Sequence, residues 1–108
     1  LGKLDCKFSA LSNAYNKDSK NPIIVGEYGI ALTDANQHDK AILVFNKLQS
    51  LTDLSLRHKA SFAKSLGEKE YYNDSKEWYY KAMREQPENL KVAEGMIEML
   101  RKSNQYPE

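Results

Sequence analysis

The sequence predicts an all-α fold, an α-solenoid of antiparallel helix pairs about three repeats long, with six to seven helices. Three observations predict it. The chain resembles itself at an offset of 34 residues: Leu11 falls on Phe45 and then Tyr79, Ala14 on Leu48 and then Ala82, Leu32 on Leu66 and then Leu100. Within each period the apolar residues recur at the i, i+3, i+4, i+7 spacing of one helix face. No stretch alternates apolar and polar residues over a strand's length with β-branched enrichment, so no strand is expected.

The elements follow in order. A helix over about 4–16 carries Leu4, Phe8, Leu11 and Ala14, and reads as the second helix of a partial repeat. The next spans about 22–35. Asn21 is a good N-cap, Pro22 suits the first helical position, and Val25, Tyr28, Ile30, Ala31 and Leu32 mark one broad face. Asn36 tolerates the left-handed conformation that ends a helix. A helix over about 38–50 buries Ala41, Ile42, Phe45 and Leu48. Ser55 then caps a helix over about 56–68 with Ala60, Phe62, Ala63 and Leu66 inside. The stretch 71–85 places Tyr72, Trp78, Tyr79, Ala82 and Met83 on its apolar side, and Pro87 stops it. Asn89 opens a last helix over about 90–102, with Ala93, Met96, Ile97 and Leu100, and Tyr106 would open its partner. The 108 residues thus form one domain: a partial repeat, repeats at about 22–55 and 56–89, and a partial repeat at 90–108. The first residue is Leu1 rather than Met, so a longer parent chain is expected.

Composition narrows the function. Hydrophobic residues make up 41% and charged residues 29%, which is globular rather than disordered. The net charge of +1 gives no global attraction to nucleic acid or to anionic membranes. No apolar run approaches the ~18 residues of a membrane span. The single cysteine, Cys6, reads as a small buried hydrophobe and can make no internal disulfide.

The residues offer little chemistry. His38 and His58 belong to different repeats, lack neighbours at metal-ligand spacing and read as surface or turn residues. Glu94 and Glu98 are set for ion pairs with Arg101 and Lys102 along their own helix. Gly26 and Gly29 lie within a helix and read as points where a neighbour comes close, not as a phosphate loop. No nucleophile motif is visible. The reading is a non-enzyme with no cofactor, no metal and no catalytic residue.

The pattern resembles the tetratricopeptide repeat (TPR). Tyr28-Gly29, Leu32, Ala41, Phe45 and Leu48 carry the likeness in one repeat. Phe62-Ala63, Leu66, Ser75, Tyr79, Ala82 and Pro87 carry it in the next, and Met96-Ile97 with Leu100 in the last. The chain departs from that pattern at Ser19 and Asp53, where Pro is usual, and at Ile97, where a small residue is usual. Asn36, Glu70 and Asn104 replace the turn glycine. The resemblance implies that Tyr79 fills the slot between its two helices, with Trp78 packed towards a neighbouring helix and Tyr80 half exposed.

It also implies a concave groove lined by the first helices. Carried over by register, its candidate residues are Ile23, Gly26, Ile30, Thr33 and Asp34, then Arg57, Ala60, Lys64 and Glu68, then Lys91, Glu94, Glu98, Arg101 and Lys102. The expected ligand is an extended peptide or a partner helix. Ile23 and Ile30 would give apolar contact; Arg57, Lys64 and Lys91 would steer acidic groups. Gly26, Ile30 and Ser61 stand where TPR proteins that clamp a chaperone tail carry Lys and Asn, which argues against that ligand. The stretch "GEYGIAL" and the following helix junction are similar to TPR accessory proteins of bacterial tight-adherence (Flp-type) pilus assembly. That likeness implies an interaction scaffold in the bacterial cell envelope. The alternatives are a helper or regulatory domain of a larger enzyme or signalling protein, a cytoplasmic location, and, for the groove itself, a solvated face with an edge covered by further repeats. A homodimer through exposed solenoid ends is a further expectation.

Overall fold

A computed structural model describes residues 3–103, with side chains from Lys7 to Ser103. The readings of the Leu4 and Cys6 side chains, and of Asn104 and Tyr106, lie outside the described residues. Within them the chain is all-α: α1 (Lys3–Lys17), α2 (Pro22–Asp34), α3 (His38–Leu51), α4 (Leu56–Glu68), α5 (Tyr72–Glu85) and α6 (Leu90–Ser103). No described residue lies in a strand.

Local chemistry sets the helix boundaries. The Asn21 side chain accepts the Ile23 N–H at 3.0 Å, with Pro22 opening α2. The Ser55 hydroxyl oxygen accepts the His58 N–H at 3.4 Å, and Asn89 Oδ1 accepts the Val92 N–H at 3.2 Å. Each cap satisfies a backbone donor that the first helical turn leaves unpaired. At α4 the arrangement is reciprocal, because the Ser55 N–H donates to His58 Nδ1 at 3.4 Å. A histidine therefore does the work that Glu or Gln usually does in a capping box.

Two helices end alike. Asn36 and Glu70 adopt left-handed backbone, at φ 61° and 67°. Gln37 N–H reaches Leu32 O at 2.8 Å and Asn36 N–H reaches Thr33 O at 3.0 Å. Tyr71 N–H to Leu66 O at 2.9 Å and Glu70 N–H to Gly67 O at 3.1 Å repeat the pattern one period later. These are paired Schellman bonds, and they turn the chain sharply enough for the next helix to run back along the last.

The helices pack by a nearest-neighbour rule. α2 lies on α3 and α4 on α5, while α1 lies on α2, α3 on α4 and α5 on α6. The first helices also approach closely in a row, α2 on α4 and α4 on α6, whereas the backbones of α3 and α5 stand farther apart. A row that touches is on the inside of the curve, and a row that splays is on the outside. The structure is thus a helix-pair array with an inner face built from α2, α4 and α6.

Two apolar clusters share the interior. One centres on Val25, Leu32, Phe45, Leu48, Phe62 and Leu66; the other on Ala63, Tyr79, Ala82, Val92, Met96 and Met99. Trp78 packs against both, with its ring centroid 5.1 Å from that of Phe62, while Tyr80 stays half exposed. Gly29 permits one of the closest approaches: a Cβ there would lie 2.8 Å from the Phe45 ring. The His58 ring covers Gly26 in the same way. What approaches these glycines is thus an aromatic or imidazole ring rather than a bare backbone.

Several readings of the sequence are corrected. His38 is buried and bonded to Ser65, not a surface residue, because the end of α4 lies against the start of α3. His58 is half-buried beneath Phe45 and α2. Lys102 pairs with Glu68 on α4 rather than with a carboxylate of its own helix, since the two stand one period apart on adjoining helices. On α6 the buried residues are Val92, Met96 and Met99, while Ile97 is 41% exposed. Its counterparts Gly29 and Ala63 are covered by the second helix of their own pair; among the described residues no helix follows α6.

Candidate functional site: the inner groove

The inner face of α2, α4 and α6 is hollowed into a groove of about 570 Å³, within the size range of ligand pockets. Thr33 and Asp34 close one end from α2. Ala60, Ser61, Lys64, Gly67 and Glu68 line it from α4; Lys91, Gly95, Glu98, Met99 and Lys102 line it from α6. The spacing explains the lining, because residues three and four apart on a helix share a face. Tyr79 is the exception. It comes from outer helix α5 and reaches between α4 and α6 to the floor.

Of the fourteen groove residues expected from the sequence, Thr33, Asp34, Ala60, Lys64, Glu68, Lys91, Glu98 and Lys102 meet in this groove. The other six lie elsewhere: Gly26 sits under the His58 ring, and Glu94 and Arg101 are exposed on α6 outside the groove lining. Ile23 is 76% exposed at the start of α2. Ile30 faces a small cleft with Lys7, Phe8 and Glu27, on the α1 side. Arg57 bonds Glu27 at 3.5 Å at the opposite end of α4.

The groove carries balanced formal charge, with Asp34, Glu68 and Glu98 against Lys64, Lys91 and Lys102. Pairing removes part of it. Glu68 bonds Lys102, which holds the carboxyl below and the ammonium above their usual ranges. Glu98 meets Arg101 at 3.4 Å. Among the described residues Lys64 and Lys91 form no ion pair. Tyr79 is 4% exposed, and burial, with the Glu68 charge adding, pushes its phenol up to about 12. It is therefore a neutral donor at physiological pH.

One edge of the groove is pinned by a buried polar chain. Ser65 Oγ lies 2.9 Å from both Thr33 Oγ1 and His38 Nδ1, and Thr33 Oγ1 donates to Gly29 O at 3.1 Å. Three bonds need three protons. They are supplied only if His38 Nδ1–H donates to Ser65, Ser65 to Thr33, and Thr33 to the carbonyl. This order ties α3, α4 and α2 together beside the groove. Ser65 and Thr33 are fully buried, so the Ser–His pair is a structural bond and not an accessible nucleophile.

Sequence reasoning missed the Tyr79 hydroxyl and the role of Gly95. A Cβ at Gly95 would sit 2.9 Å from the Tyr79 hydroxyl oxygen. The available signal was the 34-residue offset, which sets Gly95 beside Ser61 on the inner row. Among the described residues there is no group of three or more His, Cys, Asp or Glu able to hold a metal ion, and no helix long and apolar enough to cross a membrane. The sequence matches no protein-family model, and no curated protein is significantly similar to it.

Proposed function

We propose that the chain is a TPR-type interaction module that holds an extended peptide or a partner helix along its inner groove. The observation that carries this reading is a groove whose walls include two lysines, Lys64 and Lys91, without ion-pair partners among the described residues. A groove wall with exposed, unpaired cations attracts an acidic partner more than a surface of paired charges does. The likeness of "GEYGIAL" to pilus-assembly TPR proteins supports a scaffold in a bacterial envelope assembly. The test replaces Lys64 and Lys91 by Glu in the full-length protein and compares capture of its native partner. Capture should be lost while helicity and melting temperature hold. Undiminished capture by a folded double variant would remove the groove from the function.

A further inference from the structure

The most unusual polar group in the groove is the Tyr79 hydroxyl. Its ring is packed in the second apolar cluster. Its oxygen meets no hydrogen-bonding partner among the described residues, yet it is not sealed from the groove. No buried side-chain polar atom among the described residues lacks a partner, so the Tyr79 oxygen is open to water in the groove and free to donate to a ligand there. Gly95 is what leaves it open, since any side chain there would collide with the hydroxyl at 2.9 Å. By the one-period offset that places Lys102 on Glu68, Ser61 stands next to Gly95, and its hydroxyl is likewise without a bonded partner among the described residues. Lys64 lies about one turn beyond Ser61 on α4, and Lys91 about one turn before Gly95 on α6.

We infer that Tyr79, Ser61 and the gap over Gly95 form a subsite for the side-chain carboxylate of an aspartate or glutamate in an extended peptide, flanked by Lys64 and Lys91. This rests on the groove reading above and adds to it a chemical class and a position. The carboxylate accepts from the two hydroxyls, and the lysines supply charge from either side. Neither neighbouring acid opposes it unscreened: Glu68 is tied to Lys102 and Glu98 to Arg101. Asp34, at the α2 end, forms no ion pair among the described residues and sets a direction, repelling a second acidic residue there.

The test uses random heptapeptides displayed as N-terminal fusions, which have no free carboxyl terminus, selected separately on the wild-type chain, Tyr79→Phe and Gly95→Ala. Tyr79→Phe keeps the ring in the core and removes only the hydroxyl; a melting curve confirms that each variant is folded. Wild-type selection should enrich Asp or Glu at one fixed position. The best such peptide should bind Tyr79→Phe about tenfold more weakly, as expected for loss of a hydrogen bond to a charged group. Gly95→Ala should lose the acidic preference. If the same acidic position is enriched on both variants at equal affinity, the subsite is overturned and the groove reading stands. If peptides bind without acidic preference, the subsite is likewise overturned. If no peptide is enriched on any of the three proteins, both readings fall.

Discussion

At the scale of single residues, small side chains carry large consequences where rings abut them. Alanine at a helical glycine ordinarily stabilises by about 1 kcal/mol. At Gly29 the added methyl would meet the buried Phe45 ring at 2.8 Å, and overpacking of this kind costs about 1–3 kcal/mol. Gly29→Ala should therefore lower stability in urea unfolding; a gain would show that Phe45 moves freely. Glu70 is the reverse case. It holds a φ of 67°, which costs a non-glycine residue about 1 kcal/mol, so Glu70→Gly should raise the melting temperature. Ser65→Ala strands the His38 Nδ1–H, while Thr33 keeps its bond to Gly29 O, and should cost about 1–3 kcal/mol in the same urea assay.

At the scale of elements, the start of α4 depends on a neutral histidine. Burial is the main reason that His58 and His38 sit below their ordinary value of 6.5, with Glu27 opposing at His58 and Glu68 at His38. The folded state therefore prefers the neutral rings, and the unfolded chain binds more protons in acid. Stability should be complete above about pH 6.5 and decline as pH falls below it. His58→Gln keeps a side chain able to close the cap, so it should flatten part of that decline in melting curves taken between pH 7.5 and 5.5. A slope unchanged by this substitution would place the proton elsewhere.

The helix starts were legible because Asn21, Ser55 and Asn89 are strong caps whose bonding is local in sequence. Asn36 was legible for the same reason, whereas Glu70 became readable as a turn residue only by its offset from Asn36. His38 was misread because its partner, Ser65, lies 27 residues away, where helical periodicity carries no information. The groove was partly legible: spacing along α4 and α6 brought Lys64, Lys91 and Glu98 to one face. The destination of Lys102 was missed by considering only its own helix, and the Tyr79 hydroxyl by treating an aromatic in an apolar stripe as core alone.

At the scale of the whole molecule, each helix depends on its neighbours, and the two apolar clusters meet at Trp78. Phe45→Ala removes a fully buried ring and should cost about 3–5 kcal/mol, enough to threaten a domain of this size. The same packing fixes α2, α4 and α6 as the inner row, and on that row rests the claim that this chain grips a peptide. Titrating the isotope-labelled protein with the tightest peptide from a random library, and following backbone amide resonances, tests it most directly. The largest changes should fall on Ser61, Lys64, Lys91 and Gly95, with Leu43 and Tyr80 on the outer helices unmoved. Changes centred on Leu43 and Tyr80 instead would contradict the account.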